Sequence, residues 1–571
     1  MMQQTIQAPH HPHDTDFIDS VISHLPDALL KPAAKQYASL YGRGEYNGER
    51  RRKANQYLFG LNEQRQAGHT RILLQDRDSL RKKAERVALS AHQRMQVAGY
   101  PAALPLLQTY HLNEPLAKTQ DGKAARLCCD EWWARQFYKQ SEREAERFAI
   151  SRGFVRRGVS AYISQALLKH LEAKQKASLA AMENMEAVNT ETGETLDMMS
   201  ILKGSVANPE VRRIELMVRC RGFEEYAESH AHSAAFYTLT APSKYHATAW
   251  SSTRKKAYDN RKYTGATPRH TQAYLVKVWA RIRAKLKRDG LNVYGFRVCE
   301  PHHDGTPHWH LLLFMNPAHE PAVTRVMREY AMAEDGHELG AAKHRFTVEH
   351  IDTAKGSATG YIAKYISKNI NGAGIDEDHE SGMDASVGAD RVRAWASLWG
   401  IRQFQQIGGA PVGVWRELRR VKQCPKGLLD QAMQAADAGN WMQYLTLQGG
   451  ADSNRKDQPL KCYTIERIHS ETGLPLTNKY GEPVASVKGV IAQWESEQVE
   501  TRLHEWAIQR KPDMTETATT SNFQQLVNTA APIAFDRQGE AARSTVNNCT
   551  EPAYNLLNDL IERGVIGGTV S

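Results

Sequence analysis

The sequence predicts an α+β protein. Short runs rich in aromatic and β-branched residues, bounded by turn formers, sit among longer stretches whose apolar positions recur every three to four residues. The strand-like runs fall between residues 236 and 351, and long helical patterns dominate before residue 190. Where strands and helices interleave, an α/β arrangement is the alternative reading.

In chain order, residues 1–20 read as a polar, His- and Pro-containing leader without order. Residues 21–125 form a mainly helical region that carries basic clusters such as GERRRK. Residues 126–215 continue as helix in DEWWARQFYKQSEREAERFA and SAYISQALLKHLEAKQKASLAAMENM, with Trp132 and Trp133 as core residues and NTETGETLD (189–197) as a turn-rich joint. The texture changes in residues 216–420. FYTLTAP (236–242), LNVYGFRV (291–298), HWHLLLF (308–314) and FTVEHI (346–351) read as strands. TQAYLVKVWARIRAKLKRDG reads as a helix stopped by Gly290, and KGSATGYIAKYISKNI (355–370) as one ending near Asn371-Gly372. NGAGIDEDHESGMDASVGAD (371–390) has six acidic residues and no Lys or Arg, so it reads as a solvated loop. RVRAWASLWGIRQFQQIGG follows as helix or strand. Residues 421–510 form a small mixed region and 511–571 a polar, loosely ordered tail.

Composition narrows the classes of function. The 571 residues carry a net charge of +10, which favours a polyanionic partner. Twelve of the residues 254–288 are Lys or Arg against one acid, Asp259. Arg254, Lys255, Lys256, Arg261 and Lys262 are the candidate DNA contacts, with Tyr258 and Tyr263 able to stack on bases and Trp279 assigned to the core. The plain alternative is a solvated charged face. Seven scattered cysteines, never spaced CxxC, argue against a disulfide scaffold or zinc finger and for a reducing cytoplasm. Neither a signal peptide nor an apolar run long enough for a membrane is present in the sequence, and GxxxxGK[ST] is missing, so no P-loop ATPase is signalled.

Side chains two apart on a strand share a face, so His308 and His310 aim at one point while Trp309, Leu311 and Leu313 face the other way. Two imidazoles on a rigid strand are half of a metal site, and a carboxylate completes three ligands with positions left open. Glu300 precedes the turn PHHDGTP, and strand pairing would bring it to His308; Asp304, His302 and His303 are the runners-up. With 23 histidines in the chain, a chance HxH is the competing reading.

Tyr361 and Tyr365 lie at i and i+4 on one helix face, with Lys364 and Lys368 on the adjoining arc and Ile362, Ile366 and Ile370 on a buried one. Taken alone this is an ordinary Tyr/Lys surface. Beside a metal-binding strand it offers phenol nucleophiles with ammonium neighbours, which suits attack on a DNA phosphodiester.

These segments together resemble the HUH endonucleases and, more closely, the replication gene A protein family of temperate tailed phages and prophages. The resemblance rests on CCDEWWARQ, ELMVRCRGFEEYA, FYTLTAPSKYHA, YGFRVCEPHHDGTPHWHLLLFM, GSATGYIAKYISKNI and AWASLWGIRQFQQIGGAPVGVWRELRR, in that order across about residues 125–420. It implies an HUH-type central antiparallel sheet flanked by helices, occupying residues 216–420. It implies a rolling-circle initiator that nicks one strand at an origin, joins the 5′ end to tyrosine and leaves a 3′-OH for synthesis by host helicase and polymerase. Tyr361 and Tyr365 are then the nucleophiles, His308 and His310 hold Mg²⁺ or Mn²⁺ with Glu300, and Lys364 and Lys368 position phosphate. The rival readings are a metal-dependent hydrolase, a tyrosine-type relaxase or transposase, and a non-catalytic origin-binding protein.

Overall fold

The computed structural model describes residues 17–18, 20, 27–42, 48–66, 77–251, 253, 256–352, 356–374, 377–378, 383–421, 423–424, 426–469, 472–495 and 497–512. Nearly all of the expected leader (1–20) and tail (511–571) lies outside the described residues.

The chain is α+β, with antiparallel sheets. Its largest sheet is five-stranded and uses β1 (Ser233–Leu239), β2 (Tyr294–Pro301), β3 (Pro307–Met315), β4 (Phe346–His350) and β5 (Phe404–Ile407), in the order β5-β2-β3-β1-β4. All four pairings are antiparallel. The four expected strands are present within a few residues of their sequence boundaries. The central strands β2 and β3 are buried along their whole length, because helices cover both faces of the sheet.

Alternation on β3 divides two cores. Trp309, Leu311, Leu313 and Met315 pack against α2 (Pro268–Arg288) and α3 (Glu320–Met332), through Leu275, Trp279, Ile282, Val323 and Met327. Leu312 and Phe314 turn the other way, with Phe236, Phe296 and Val298, against α1 (Pro209–Ser229) and α4 (Ala358–Ile370). Ile362, Ile366 and Ile370 of α4 are each 1% exposed or less, which seats that helix firmly on the sheet. Tyr37, Ala54 and Leu58 of the N-terminal helices join the first core, and Trp441, Tyr444, Leu460 and Val490 from the C-terminal region join the second. Trp132 and Trp133 lie in a third cluster with Leu80, Val87 and Phe137.

One local expectation is sharpened and two are corrected. The turn-rich joint at 189–197 is the turn and second strand of a hairpin: Met185–Asn189 pairs with Thr195–Asp197, and Trp506–Arg510 adds a third strand. Residues 160–164 do not continue a helix; that helix begins at Gln165, capped by the Ser164 hydroxyl. The acidic stretch 371–390 is not uniformly solvated. Asp378 is 2% exposed, and α5 (Ala385–Trp399) starts inside the stretch, capped by Asp384. No described helix is long and apolar enough to cross a membrane.

Gly295 on β2 has φ +144°, and a Cβ there would lie 2.0 Å from the Leu312 carbonyl oxygen on β3. Gly295→Ala must therefore part the two central strands. We expect a loss on the order of 3 kcal/mol, the upper end of ordinary overpacking, read as a lowered urea midpoint with unchanged m. An unshifted midpoint would contradict this account of the β2–β3 approach.

Candidate metal and nucleophile site

The site begins with strand register. Pairing of β2 with β3 sets Glu300 opposite His308, and pairing of β1 with β3 sets Thr238 opposite His310. The histidines share the face of Leu312 and Phe314, which is the face that α4 covers. His308, His310 and Glu300 are 5%, 7% and 2% exposed. Their ligand atoms converge: the two Nε2 atoms are 2.9 Å apart, and Glu300 Oε2 lies 3.6 Å from that of His310 and 4.0 Å from that of His308. Among the described residues this is the one group of three or more His, Cys, Asp or Glu placed to hold a metal ion.

The donor set fits a divalent cation. Two ligands about 2.1 Å from one ion and at right angles to each other stand about 3.0 Å apart, close to the separation of the two nitrogens. His310 Nδ1 is 3.0 Å from Thr238 Oγ1. A proton on Nδ1 donated to that hydroxyl leaves the Nε2 lone pair free for an ion. Burial, reinforced by His302, His310 and Lys368, pushes His308 well below the ordinary histidine value. It is thus neutral, the form in which imidazole binds metal.

Glu300 is fixed from two sides. Asn369 donates its amide to Glu300 Oε1 and to the Tyr365 carbonyl (2.7 Å), and Gln403 donates to Asn369 Oδ1 at 3.3 Å. The Lys368 ammonium is 3.5 Å from Glu300 Oε2. Helix α4 is itself anchored at its N-terminus, where Glu224 accepts from the Ala358 and Thr359 amides, a favourable place for a carboxylate. At its other end Gly372, at φ 72°, closes the helix on the Ser367 carbonyl.

The tyrosines differ in placement. The Tyr365 ring lies 4.2 Å from the His310 ring and 5.0 Å from that of Phe236. Tyr361, one turn earlier, is half-buried. Of the two lysines, Lys368 reaches into the pocket and Lys364 is exposed. Among the runner-up ligands, the buried Asp304 turns away from the pocket, to the Thr306 and Thr248 amides and to His246 Nδ1 at 3.3 Å. Burial would raise its pKa, but His246, His303 and His302 outweigh that and hold it well below the usual carboxylate range. His302 stacks on His308 with ring centres 3.9 Å apart, and His303 faces Trp250 at 6.4 Å.

Lys256, Arg261 and Lys262 are exposed, on and just beyond the hairpin Thr248–Ser251/Lys256–Asp259; Arg254 and Lys255 lie outside the described residues. The Thr248 amide ties this hairpin to Asp304, in the turn that leads into the histidine strand. Tyr258 is 54% exposed, Tyr263 is half-buried, and Trp279 is in the core. Sequence reasoning missed Thr238, Asn369, Gln403 and Asp378. Asn369 was accessible, since it follows Tyr365 by one helical turn; Gln403 and Asp378 leave no local pattern.

The model of the bacteriophage replication gene A protein family matches residues 48–373. The chain is 42% identical over 451 residues to a probable replication protein of Pseudoalteromonas phage PM2, covering 77% of this chain and 64% of that one. It is 37% identical over 480 residues to the replication gene A protein of Escherichia phage P2 (80% and 60%). It is 34% identical over 466 residues to a probable replication endonuclease from a prophage-like region of Salmonella typhimurium (78% and 54%). The chain thus spans roughly half to two thirds of the length of these relatives. No solved structure matches it.

If the three side chains form one ion site, His308→Ala or His310→Ala abolishes Mn²⁺ binding measured by calorimetry. Thr238→Val weakens it about 10- to 100-fold through the freed imidazole. Undiminished Mn²⁺ affinity in either histidine variant removes the site.

Proposed function

The chain belongs to the bacteriophage replication gene A protein family, and from that premise we propose that it initiates rolling-circle replication by cutting and rejoining one DNA strand through tyrosine. The observation that carries this reading is the seating of the Tyr365 ring against His310, one of three buried ligand residues. On this reading the five-stranded sheet is an HUH core, residues 216–420 are the nicking unit, and the reaction takes place in the host cytoplasm. The substrate is single-stranded or unwound origin DNA, with host helicase and polymerase extending the released end.

The chemistry follows from the residues. A free phenol has pKa about 10, so about one in a thousand is ionised at pH 7, a deficit of about 4 kcal/mol. The Lys368 ammonium, three residues beyond Tyr365 in the same helix, offsets part of that deficit by favouring negative charge nearby. The phenol gives up its proton to solvent as its oxygen attacks phosphorus and forms a Tyr–O–P bond; the P–O3′ bond breaks, and the departing oxygen takes a proton from solvent to become the 3′-OH. Mg²⁺ or Mn²⁺ held by Glu300, His308 and His310 would supply positive charge to the phosphate oxygens. The donor set suits Mn²⁺ better than Mg²⁺, which prefers all-oxygen shells. Because the phosphotyrosine preserves a phosphodiester, the reverse attack by a 3′-OH rejoins DNA without ATP. The second tyrosine then allows one end to be held while the next junction is opened. Lys256, Arg261 and Lys262 contact the phosphate backbone near the turn that enters β3, and Lys364 contacts it from the exposed side of α4.

Two imidazoles and a carboxylate are also the ligands of non-haem iron(II) oxygenases. Tyr365 and Lys368 beside the ligands, together with the family, favour phosphoryl transfer.

The test uses 5′- and 3′-labelled single-stranded origin DNA with Mn²⁺, a denaturing gel and adduct mapping by mass spectrometry. We expect DNA linked through its 5′ phosphate to a peptide spanning Gly360–Lys368, and none in EDTA. Cleavage without an adduct would establish a hydrolase and demote both tyrosines; binding without cleavage would leave an origin-binding protein. Tyr365→Phe should remove most first-strand cleavage, by about 10²-fold or more for loss of the nucleophile, whereas Tyr361→Phe spares it and blocks the second transfer. The opposite order would reverse the two assignments.

A further inference from the structure

Lys368 lies between two buried carboxylates: Glu300 Oε2 at 3.5 Å, and Asp378 Oδ1 at 3.3 Å. Its own side chain is 14% exposed. Asp378 is in turn held by the Tyr162 hydroxyl, which donates to Oδ2. Tyr162 is fully buried, and the Lys368 ammonium is 5.9 Å from its ring centre. Four residues widely separated in sequence thus form one line, Tyr162–Asp378–Lys368–Glu300, that ends on the carboxylate of the candidate metal site.

Tyr162 is held there at a conformational cost. Its φ is +71°, a region that bulky L residues rarely adopt. Arg391 pins both flanking carbonyls, Ala161 at 3.0 Å and Ile163 at 2.5 Å, and the Tyr162 amide donates to the His303 carbonyl at 3.3 Å. The surroundings therefore over-determine the strained residue and tie it to the same turn that leads into His308.

We propose that Tyr162 and Asp378 are a positioning pair that fixes the Lys368 ammonium at the metal pocket, so that it stays beside the scissile phosphate when Glu300 turns to a cation. The argument rests on charge. Two carboxylates within 3.5 Å of one ammonium leave the group an excess of acidic side chains, which favours capture of a divalent cation. Once the cation is bound the excess is positive, which favours a phosphodiester anion. Asp378 is the partner that Lys368 keeps in both conditions, because Glu300 then faces the ion. This assignment rests on the phosphoryl-transfer reading above. Asp378 and Tyr162 act through Lys368 and touch no substrate.

Two arms test it on the full chain. In the first, without DNA, surface amines are acetylated competitively and mapped by mass spectrometry. Asp378→Asn and Tyr162→Phe, both close in shape to the original residues, should raise labelling of Lys368 several-fold against the exposed Lys364. Lys174, paired with Glu142 at 3.4 Å, reports general loosening and should not change. Unchanged Lys368 labelling in both variants overturns the proposal whatever reaction the protein performs. In the second arm, single-turnover cleavage by Asp378→Asn should fall about 10- to 100-fold, as for other residues that orient a site from behind. Cleavage is read at saturating Mn²⁺, because loss of one carboxylate weakens ion capture as well, and Lys368→Ala should add little in that background. Full cleavage by Asp378→Asn overturns the proposal while the tyrosine reading stands. An unaltered chain that forms no adduct sinks the tyrosine reading, and the labelling arm still decides whether Asp378 holds Lys368.

Discussion

The antiparallel register of β2 on β3 is the constraint on which the site depends. It sets Glu300 opposite His308 and, two steps along, Val298 opposite His310. A slip of one residue would carry both imidazoles to the face of Trp309 and Leu311, into the largely apolar core under α2 and α3 and away from Glu300. Several features hold the register. Asp304 accepts the Thr306 amide inside the connecting turn, and Gly305 takes φ +81° there. Gly295 lets the Leu312 carbonyl approach where any side chain would obstruct. The apolar alternation of β3, large on both faces, penalises either shift.

The second dependence is electrostatic. Buried ions are destabilising unless each finds a partner. Here Glu300, Lys368 and Asp378 lie within one cluster, and Asn369, itself held by Gln403, donates to the Glu300 carboxylate. His308 lowers the cost by staying neutral. Its Nδ1 is buried without a hydrogen-bond partner, so the pocket is not optimised for stability. Side chains tied at this many points are preorganised, which would suit the ion and the phosphate of the proposed reaction.

Much of this was legible in the sequence because it is local. Period-two alternation disclosed β3 and the common face of His308 and His310. Period 3.6 disclosed α4, its isoleucine stripe and its tyrosine stripe. Glu300 followed from assuming that the strands on either side of PHHDGTP pair, which they do. What stayed hidden depends on contacts far apart in sequence. Asp378 sits in a stretch whose six acids read as a solvated loop, and composition averages over residues, so it cannot show that one of them is buried against Lys368 and Tyr162. Tyr162 falls at the start of an apparently helical pattern, yet its left-handed backbone is set by Arg391 from some 230 positions away. Lys364 and Lys368 lie on the same arc of a helical wheel, but the wheel cannot tell which turn of α4 stands over the sheet.

The isoleucine stripe also limits how two tyrosines can share one metal pocket. Residues four apart on a helix differ by about 6 Å along its axis, so the phenols cannot occupy the same place by small adjustment. Sliding α4 by a turn would uncover Ile362, Ile366 and Ile370, each fully packed on the sheet, and would break the Glu224 anchor at its N-terminus. Interiors packed this tightly resist such a displacement. The helix and the ligands therefore behave as one fixed body, and Tyr365 is the phenol seated at it. For Tyr361 to act, its side chain must rotate toward the pocket or the bound strand must shift by about one helical turn toward it. On the proposed strand-transfer reading the exchange would then be carried by side chain and DNA over a stationary protein frame, and the two tyrosines would have different duties despite their identical chemistry.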